Sequence, residues 1–560
     1  MSDQPRRQRA RVTAVGIVVL TALALAWAGG ESASATGRQT SQRQRSWVDW
    51  LEFRTIDGTG NNPANPTWGS VGEALLRTRD LPDYGDGMST LAGGGRPGAR
   101  AVSNSVATPP GPLPNPQGVT DMFWQWGQFV DHDIDITPGA VPPEPADIPV
   151  PVGDPFFDPF NTGTQVIAFN RSASVPFSSG IRQQVNQITA YLDASHVYGS
   201  DPIRADELRW PGGYLKTSQG RMLPFNAAML PNAPSNSPSL FLAGDVRANE
   251  QVGLTSLHTL FVREHNRLVR LLRRMGLPAE TRYQVARTIV GAEIQAITYR
   301  EFLPILLGRS GLSRYRGYDP SVNPGIANIF STAAFRFGHT MVPPQLLRLR
   351  PNGEPIAAGH LALRDAFFAP QVLLENGGIE PILRGLATQQ AEAVDNFIVD
   401  DLRNFLFGPP GSGGIDLAAM NIQRGRDHGL PSYNDVREQW GLPRVTTFAE
   451  ITSDPLMAAR FAAVYASVDD VDLWVGGLGE DAVGGGLVGP LFAAIIADQF
   501  ERLRRGDRFY YERLPRVLVR YVEQLDLRTI IQLNSRIGRE LSRDIFHVGR
   551  GRPGSRHVTH

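Results

Sequence analysis

No cysteine occurs in the 560 residues of this chain, which excludes disulfides, thiolate nucleophiles and thiolate ligation of a metal. A chain of this length without cross-links must rely on core burial and on any metals it binds. Lysine is almost missing too: Lys216 stands alone, and arginine carries nearly all the positive charge. Arginine stays ionised and grips carboxylates through a planar fork, which suits it to anchoring acidic groups, although codon bias accounts for the skew equally well. Net charge is absent, with 55 basic against 55 acidic residues, so no global field points to nucleic acid or a membrane surface as partner. The segments Gly408–Gly414 and Gly476–Gly489 read as glycine-rich loops, but neither has the GxxxxGK[ST] or GxGxxG spacing of a phosphate cradle, which argues against nucleotide binding. Alternating strand patterns are few and short, and no internal repeat is visible.

Long apolar runs are missing with one exception, Val12 to Ala28, preceded by Arg6, Arg7, Arg9 and Arg11. That run is short for a spanning helix and right for a secretory leader. Ala26-Trp27-Ala28 and Ala33-Ser34-Ala35 both offer small-residue cleavage sites, and Arg6-Arg7 is a weak twin-arginine signal. Residues 1–35 are therefore expected to be a signal peptide or an N-terminal anchor, with the rest of the chain exported and no other membrane segment.

Residues 36–103 form an expected irregular arm rich in Gly and Pro. Helical periodicity then takes over. Met122, Phe123, Trp126, Phe129 and Val130 make one stripe. Leu254–Arg274, Tyr283–Leu303 and Leu491–Arg505 have the apolar spacing of further helices, and another is expected from Ile326 to Met341. The fold class that follows is mainly α: a multi-helix domain over 104–547 with few short strands, followed by a tail at 548–560.

The stretch Gly127-Gln128-Phe129-Val130-Asp131-His132-Asp133 sets a glutamine, a histidine and two acids within about one and a half helical turns. Residues four apart share a face, so Gln128 and His132 point the same way, with Asp131 about 100° round the helix. A flat cofactor could meet all three. Gly127 is a further hint, because glycine inside a helix costs about 1 kcal/mol relative to alanine and often marks close approach by another group. A polar turn with a solvated His-Asp pair is the equal alternative on these residues alone.

Four further segments accompany this one: Asp193-Ala194-Ser195, Arg247-Ala248-Asn249-Glu250, Phe337-Gly338-His339-Thr340 and Asn421-Ile422-Gln423-Arg424. Together with Asp131-His132-Asp133, and with framing stretches such as Thr255–Arg267 and Asp416–Gly429, they resemble the animal-type haem peroxidases of the peroxidase-cyclooxygenase superfamily. The resemblance runs from about Asn104 to His547.

That resemblance implies haem b as cofactor. His339 is matched to the proximal ligand of the haem iron, and Asn421 to the residue whose carbonyl accepts the other ring N–H of His339. His132 is matched to the distal histidine that moves the peroxide proton, Arg247 to the distal arginine, and Gln128 to a residue orienting water or halide. For Arg247 a surface ion pair with Asp245 is the competing explanation. Asp131 and Glu250 are matched to carboxylates ester-linked to haem, and Arg336 and Arg424 to residues near the haem propionates, although both could equally be surface arginines. Where some family members carry a methionine bonded to haem, this chain has Gln251. That third link is excluded, and ready chloride oxidation is put in doubt. Asp133, Thr189, Tyr191 through its backbone carbonyl, Asp193 and Ser195 are matched to a Ca²⁺ loop of hard oxygen donors. The remaining histidines, among them His196, His258, His265, His360 and His428, match no iron-ligating position and read as structural.

The activity implied is that of a secreted haem peroxidase, with hydrogen peroxide as oxidant and bromide, iodide, thiocyanate or aromatic molecules as donors. A fatty-acid dioxygenase of the same superfamily is the first alternative, but it needs a tyrosine three residues before the proximal histidine, where this chain has Arg336. A non-catalytic extracellular adhesion protein that retains the fold is the second. Oligomeric state is not readable.

Overall fold

A computed structural model describes residues 52–176 and 180–549. The expected leader, the first part of the arm and most of the expected tail lie outside the described residues. Among the described residues no helix is long and apolar enough to cross a membrane.

Regular structure is almost entirely helical. The main elements are α1 (Ala99–Val106), α2 (Asp121–Ile134), α3 (Val252–Arg273), α4 (Ala279–Ile297), α5 (Asn328–Thr332), α6 (Leu417–Asp427), α7 (Leu473–Gly479) and α8 (Pro490–Arg505). Strands occur as antiparallel pairs of two or three residues, such as Ile148–Pro149 with Val166–Ile167 and Ser174–Pro176 with Arg182–Gln184. Residues 52–98 hold little regular structure. They are tied to the body by Leu76 N donating to Ile326 O at 2.7 Å and by the Asn61 amide donating to Asp507 Oδ1 at 2.8 Å. Helix α1 crosses the expected boundary at residue 103.

Helix α2 is the centre of the molecule. It ends where Asp135 turns extended at φ −148°, shortly before Pro138. The expected stripe is in fact a helix buried all round: every residue of α2 is buried except Gln128 and Asp131, as suits an element enclosed by others. Its aromatic rings knit the core, Phe129 stacking on Phe261 of α3 at 5.2 Å and Phe123 on Phe302 at 4.5 Å between centroids. Burying each such ring contributes roughly 1.5–3 kcal/mol. Gly127 faces this packing, since a Cβ there would meet Phe302 Cζ at 3.4 Å. The close neighbour that its glycine anticipated is a core ring.

Helix α3 begins where the Gln251 side chain accepts from Gly253 N at 2.6 Å, a helix cap that satisfies one orphan donor. The expected helix Tyr283–Leu303 starts earlier, as α4, and widens into a π turn over Thr298–Phe302. Helix α6 is capped by Asp416, which accepts from Ala419 N at 3.0 Å. The same carboxylate receives the fully buried Arg100 at 2.7 Å, whose guanidinium also bonds Asp154 at 2.7 Å. That buried bridge fixes the start of α6 against α1.

Two expectations need correction. The helix expected from Ile326 to Met341 is broken: α5 stops at Thr332, Ala333 leaves the helical region (φ −131°, ψ −67°), and a 3₁₀ segment covers Ala334–Met341. The break allows Phe330 and Phe335 to stack at 4.7 Å, whereas five residues along a continuous helix would set them about 140° apart. Second, the stretch expected as a loop from Gly476 begins inside α7. A Cβ on Gly476 would lie 2.3 Å from the Tyr433 ring and one on Gly477 2.1 Å from Phe492, so these glycines serve close packing of a helix and not chain flexibility.

Candidate active site

On one wall stand α2 and the turn that leads into α3. Asp245 accepts from Arg247 N at 2.8 Å, so the turn is closed by its own side chain. The same carboxylate binds the Arg247 guanidinium twice, at 2.9 Å from Nε and 2.9 Å from Nη2, while Nη2 also donates to Asp135 O at 2.9 Å. The ion pair therefore exists, but inside the protein and not at its surface. Arg247 Nη1 remains 3.9 Å from Asp131. His132 lies between two carboxylates, with Nδ1 3.6 Å from Asp245 Oδ1 and Nε2 4.0 Å from Glu250 Oε2.

Electrostatics sort these groups. Burial, then the Arg247 charge, holds His132 well below its usual value of 6.5, so the ring is neutral. Burial pushes Asp245 up, but the charge and hydrogen bonds of Arg247 outweigh it and keep the carboxyl below the usual carboxylate range. Burial, then Asp135, drives Asp131 well above its usual value, and burial raises Glu250 to about 7.

The opposite wall is the 3₁₀ segment Ala334–Met341, which packs against α2, together with α6. His339 Nδ1 lies 2.8 Å from the Asn421 amide nitrogen. This differs from the expected contact with the Asn421 carbonyl, and Arg336 is the reason: its Nη1 donates to Asn421 Oδ1 at 2.9 Å, which turns the amide nitrogen to the ring. Burial, then Arg336, lowers His339 to about 3. Arg424 is no surface arginine either. It lies over the Phe169 ring at 4.1 Å, donates to Ser172 Oγ at 2.7 Å, and is lowered by burial to about 10.

Along the seam between the walls, side chains keep accessible surface. Asp131 and Glu250 keep 30% and 28% of their side-chain surface accessible although both are deeply enclosed. Gln128, Arg247, Arg336, Gly338, His339 and Arg424 are also only partly buried, in elements whose other residues are mostly buried. Nothing lies within 4 Å of a Cβ built on Gly338, and His132 Nδ1 has no hydrogen-bond partner. A slot lined by two neutral imidazoles, two carboxyl groups and three guanidinium groups fits a flat, dianionic, iron-bearing macrocycle.

Behind the wall that carries His132 a second group of oxygens converges. Ser195 Oγ donates to Asp133 O and Oδ1, both at 2.9 Å, and Thr189 Oγ1 donates to Asp193 Oδ1 at 3.1 Å. Asp193 Oδ2 is buried with no partner. Burial, then Asp133, raises Asp193 to about 7. Tyr191 contributes its backbone oxygen, which accepts from Asp193 N at 2.8 Å. Paired buried carboxylates with hydroxyl and carbonyl oxygens and an orphan lone pair fit a hard cation.

Sequence reasoning missed several contributors. Asp245 entered only as a rival partner for Arg247, and its place two residues before that arginine was the available signal. Gln251 Nε2 donates to Gln125 Oε1 at 2.5 Å and to Gln128 Oε1 at 3.0 Å. His196 Nδ1 lies 2.8 Å from Asp133 Oδ1, and the His428 ring is bound by Ser172, Thr332 and Asn328.

Comparison with known proteins agrees with this geometry. The family model described as animal haem peroxidase matches residues 53–546. The chain is 38% identical to peroxinectin A of Dictyostelium discoideum over 488 residues, covering 82% of this chain and 89% of that protein. It is 40% identical to Drosophila melanogaster peroxidasin over 82% of this chain, but spans only 34% of that longer protein. The solved structure of peroxidase A from Dictyostelium discoideum superposes with a TM-score of 0.83 at 36% identity, covering 89% of this chain and 100% of that one. The Arabidopsis thaliana fatty acid alpha-dioxygenase shares the fold at a TM-score of 0.76 and 20% identity, covering 100% of this chain and 94% of that one. The chain belongs to the animal haem peroxidase family.

Proposed function

We propose that this protein is an exported haem peroxidase that reduces hydrogen peroxide and oxidises bromide, iodide, thiocyanate or aromatic donors. The observation that carries this is the pair of neutral histidines, His132 and His339, on facing walls of a polar slot, with Arg247 fixed beside the first. His339 would hold the haem iron once Arg336 leaves Asn421 for a propionate and the freed Asn421 oxygen turns to accept from His339 Nδ1. Arg424 would hold the other propionate, and Asp131 and Glu250 would tie the haem through ester bonds formed at the expense of peroxide. Haem supplies storage of the two oxidising equivalents taken from peroxide.

The side chains do the rest. With Asp245 facing Nδ1, His132 carries its proton there and offers Nε2 as base. Nε2 takes the proton from one peroxide oxygen and returns it to the other as water leaves, help worth about 10² to 10⁴ in rate. Arg247, locked to Asp245, stabilises the charge that develops as the O–O bond parts, without having to reorganise. Calcium bound by Asp133, Thr189, the Tyr191 carbonyl, Asp193 and Ser195 would hold α2, and so Asp131 and His132, in place. Phe367, Phe368 and Phe407 pack together next to Glu250, whose carbonyl accepts from Phe368 N at 3.2 Å. Such a cluster near Glu250 offers aromatic donors a surface to stack on. Export rests on the leader-like residues 1–35.

Haem-loaded protein tests this directly. A Soret band with peroxide-driven oxidation of bromide or guaiacol is expected, with His339→Ala removing axial ligation from the spectrum. Linoleate-dependent oxygen uptake would favour a dioxygenase, and haem binding without either turnover an adhesion protein.

A further inference from the structure

The amide of Gln128 has a direction, and the structure shows what sets it. The chain of constraint begins at Gly253, whose backbone N–H can only donate. It donates to Gln251 Oε1 at 2.6 Å, so the oxygen of the Gln251 amide is committed to capping α3 and its NH₂ group must point the other way. That NH₂ group meets Gln125 Oε1 at 2.5 Å and Gln128 Oε1 at 3.0 Å. The Gln125 amide nitrogen then donates to Gln128 Oε1 as well, at 3.1 Å. Two donors thus occupy the carbonyl oxygen of Gln128. Its own NH₂ group has no acceptor among the described residues and sits on the strip of α2 that carries Asp131 and His132. Amide orientation is ordinarily ambiguous; here one backbone donor decides three of them in sequence.

We infer that Gln251 is a positioning residue that fixes the polarity of the Gln128 amide, so that an N–H donor and not a carbonyl meets the halide-class monoanion that the proposed function places beside Gln128. The inference rests on the functional reading that places Gln128 at the donor side of the slot. Bromide and iodide are pure acceptors, so an amide N–H attracts them and a carbonyl oxygen repels them. Gln251 never touches the anion. It acts through Gln128, from its place at the start of α3.

The Gln251→Glu variant isolates this role. When ionised, one carboxylate oxygen keeps the cap on Gly253 while the other replaces the NH₂ donor by an acceptor and forces Gln128 to turn its amide round. A protonated acid would donate as the amide does, so the titrations are run at alkaline pH. Bromide binding is read by titrating the Soret band of the ferric holoenzyme, without turnover, in wild type, Gln251→Glu, Gln128→Leu and the double variant. The expected result is a rise in bromide Kd of about tenfold or more in Gln251→Glu, a comparable rise in Gln128→Leu, and no further rise when the two are combined. The thermal midpoint of Gln251→Glu should fall, because the introduced carboxyl is buried, so the bromide Kd is read on folded holoenzyme well below that midpoint. Wild-type affinity in Gln251→Glu with weakened affinity in Gln128→Leu overturns the inference and leaves the role of Gln128 standing. An effect of Gln251→Glu that persists in full without the Gln128 amide also overturns it, since added charge alone would then be responsible. Wild-type affinity in Gln128→Leu removes that residue from the anion site, and the functional reading of Gln128 fails together with the inference.

Discussion

The carboxylate of Asp245 stands 3.6 Å from His132 Nδ1, and the same oxygen accepts from Arg247 Nε at 2.9 Å. One buried anion therefore holds Arg247 and faces the ring of His132, the two groups expected to act on peroxide. Replacing it by Asn should lower kcat/KM for peroxide by roughly 10², because Arg247 loses its anchor. Removing one partner of a buried pair also costs about 3–5 kcal/mol, so the thermal midpoint should fall. Equal peroxide kinetics in wild type and Asp245→Asn would show that Arg247 is held by other means.

Acid tolerance follows from the direction of the His132 shift. The ring is held well below 6.5 by burial and by Arg247, so it stays neutral, and able to accept a proton, as pH falls through 6.5. Activity should be lost only at lower pH, where the ring protonates. In Asp245→Asn the acid limb should move lower still, because the charge that favours the imidazolium is gone. A limb at or above 6.5 in wild type contradicts this placement.

Calcium removal should make stability pH-dependent in one direction. In the metal-free protein Asp193 is raised to about 7, above its unfolded value of about 3.9. Its contribution to stability is thus present at low pH and lost as pH rises through 7. Protein treated with a chelator should melt earlier at pH 8 than at pH 6, with added calcium abolishing the difference. Metal analysis finding no calcium in fully active enzyme would dispose of the site.

Ester links predict retention. After peroxide treatment of the holoenzyme, acid-acetone extraction should leave haem on the polypeptide, and the Asp131→Val, Glu250→Gln double variant should release it all. Complete release from wild type rules the esters out.

Gly477→Ala should be destabilising by about 1–3 kcal/mol, the usual range for overpacking, because its Cβ would sit 2.1 Å from Phe492. A loop would tolerate the change. Unaltered melting would therefore restore the expectation of a flexible segment there.

Much of this was legible along the chain. The helices α2, α3, α4 and α8 follow from apolar spacing, and four of the five motif segments name residues that line the slot, the fifth, Asp193-Ala194-Ser195, lying behind it. Less legible was direction. Nothing in Asn421 says that Arg336 will claim its oxygen, and nothing in the run from Ile326 to Met341 announces that Phe330 and Phe335 must stack. The glycines of α7 look like loop residues until Tyr433 and Phe492 are seen pressed against them.

By itself the sequence determined the helical class, the absence of thiolate chemistry and the family, because periodicity and motif identity are properties of neighbours in the chain. Only the tertiary structure decided that the Arg247–Asp245 pair is enclosed and faces His132, which way the amides of Asn421 and Gln128 point, and where the helix before His339 breaks. Those depend on contacts such as His132 with Asp245 and Gln125 with Gln251. Such partners lie more than a hundred residues apart, and residue identity leaves open which of their atoms will donate, accept or face one another.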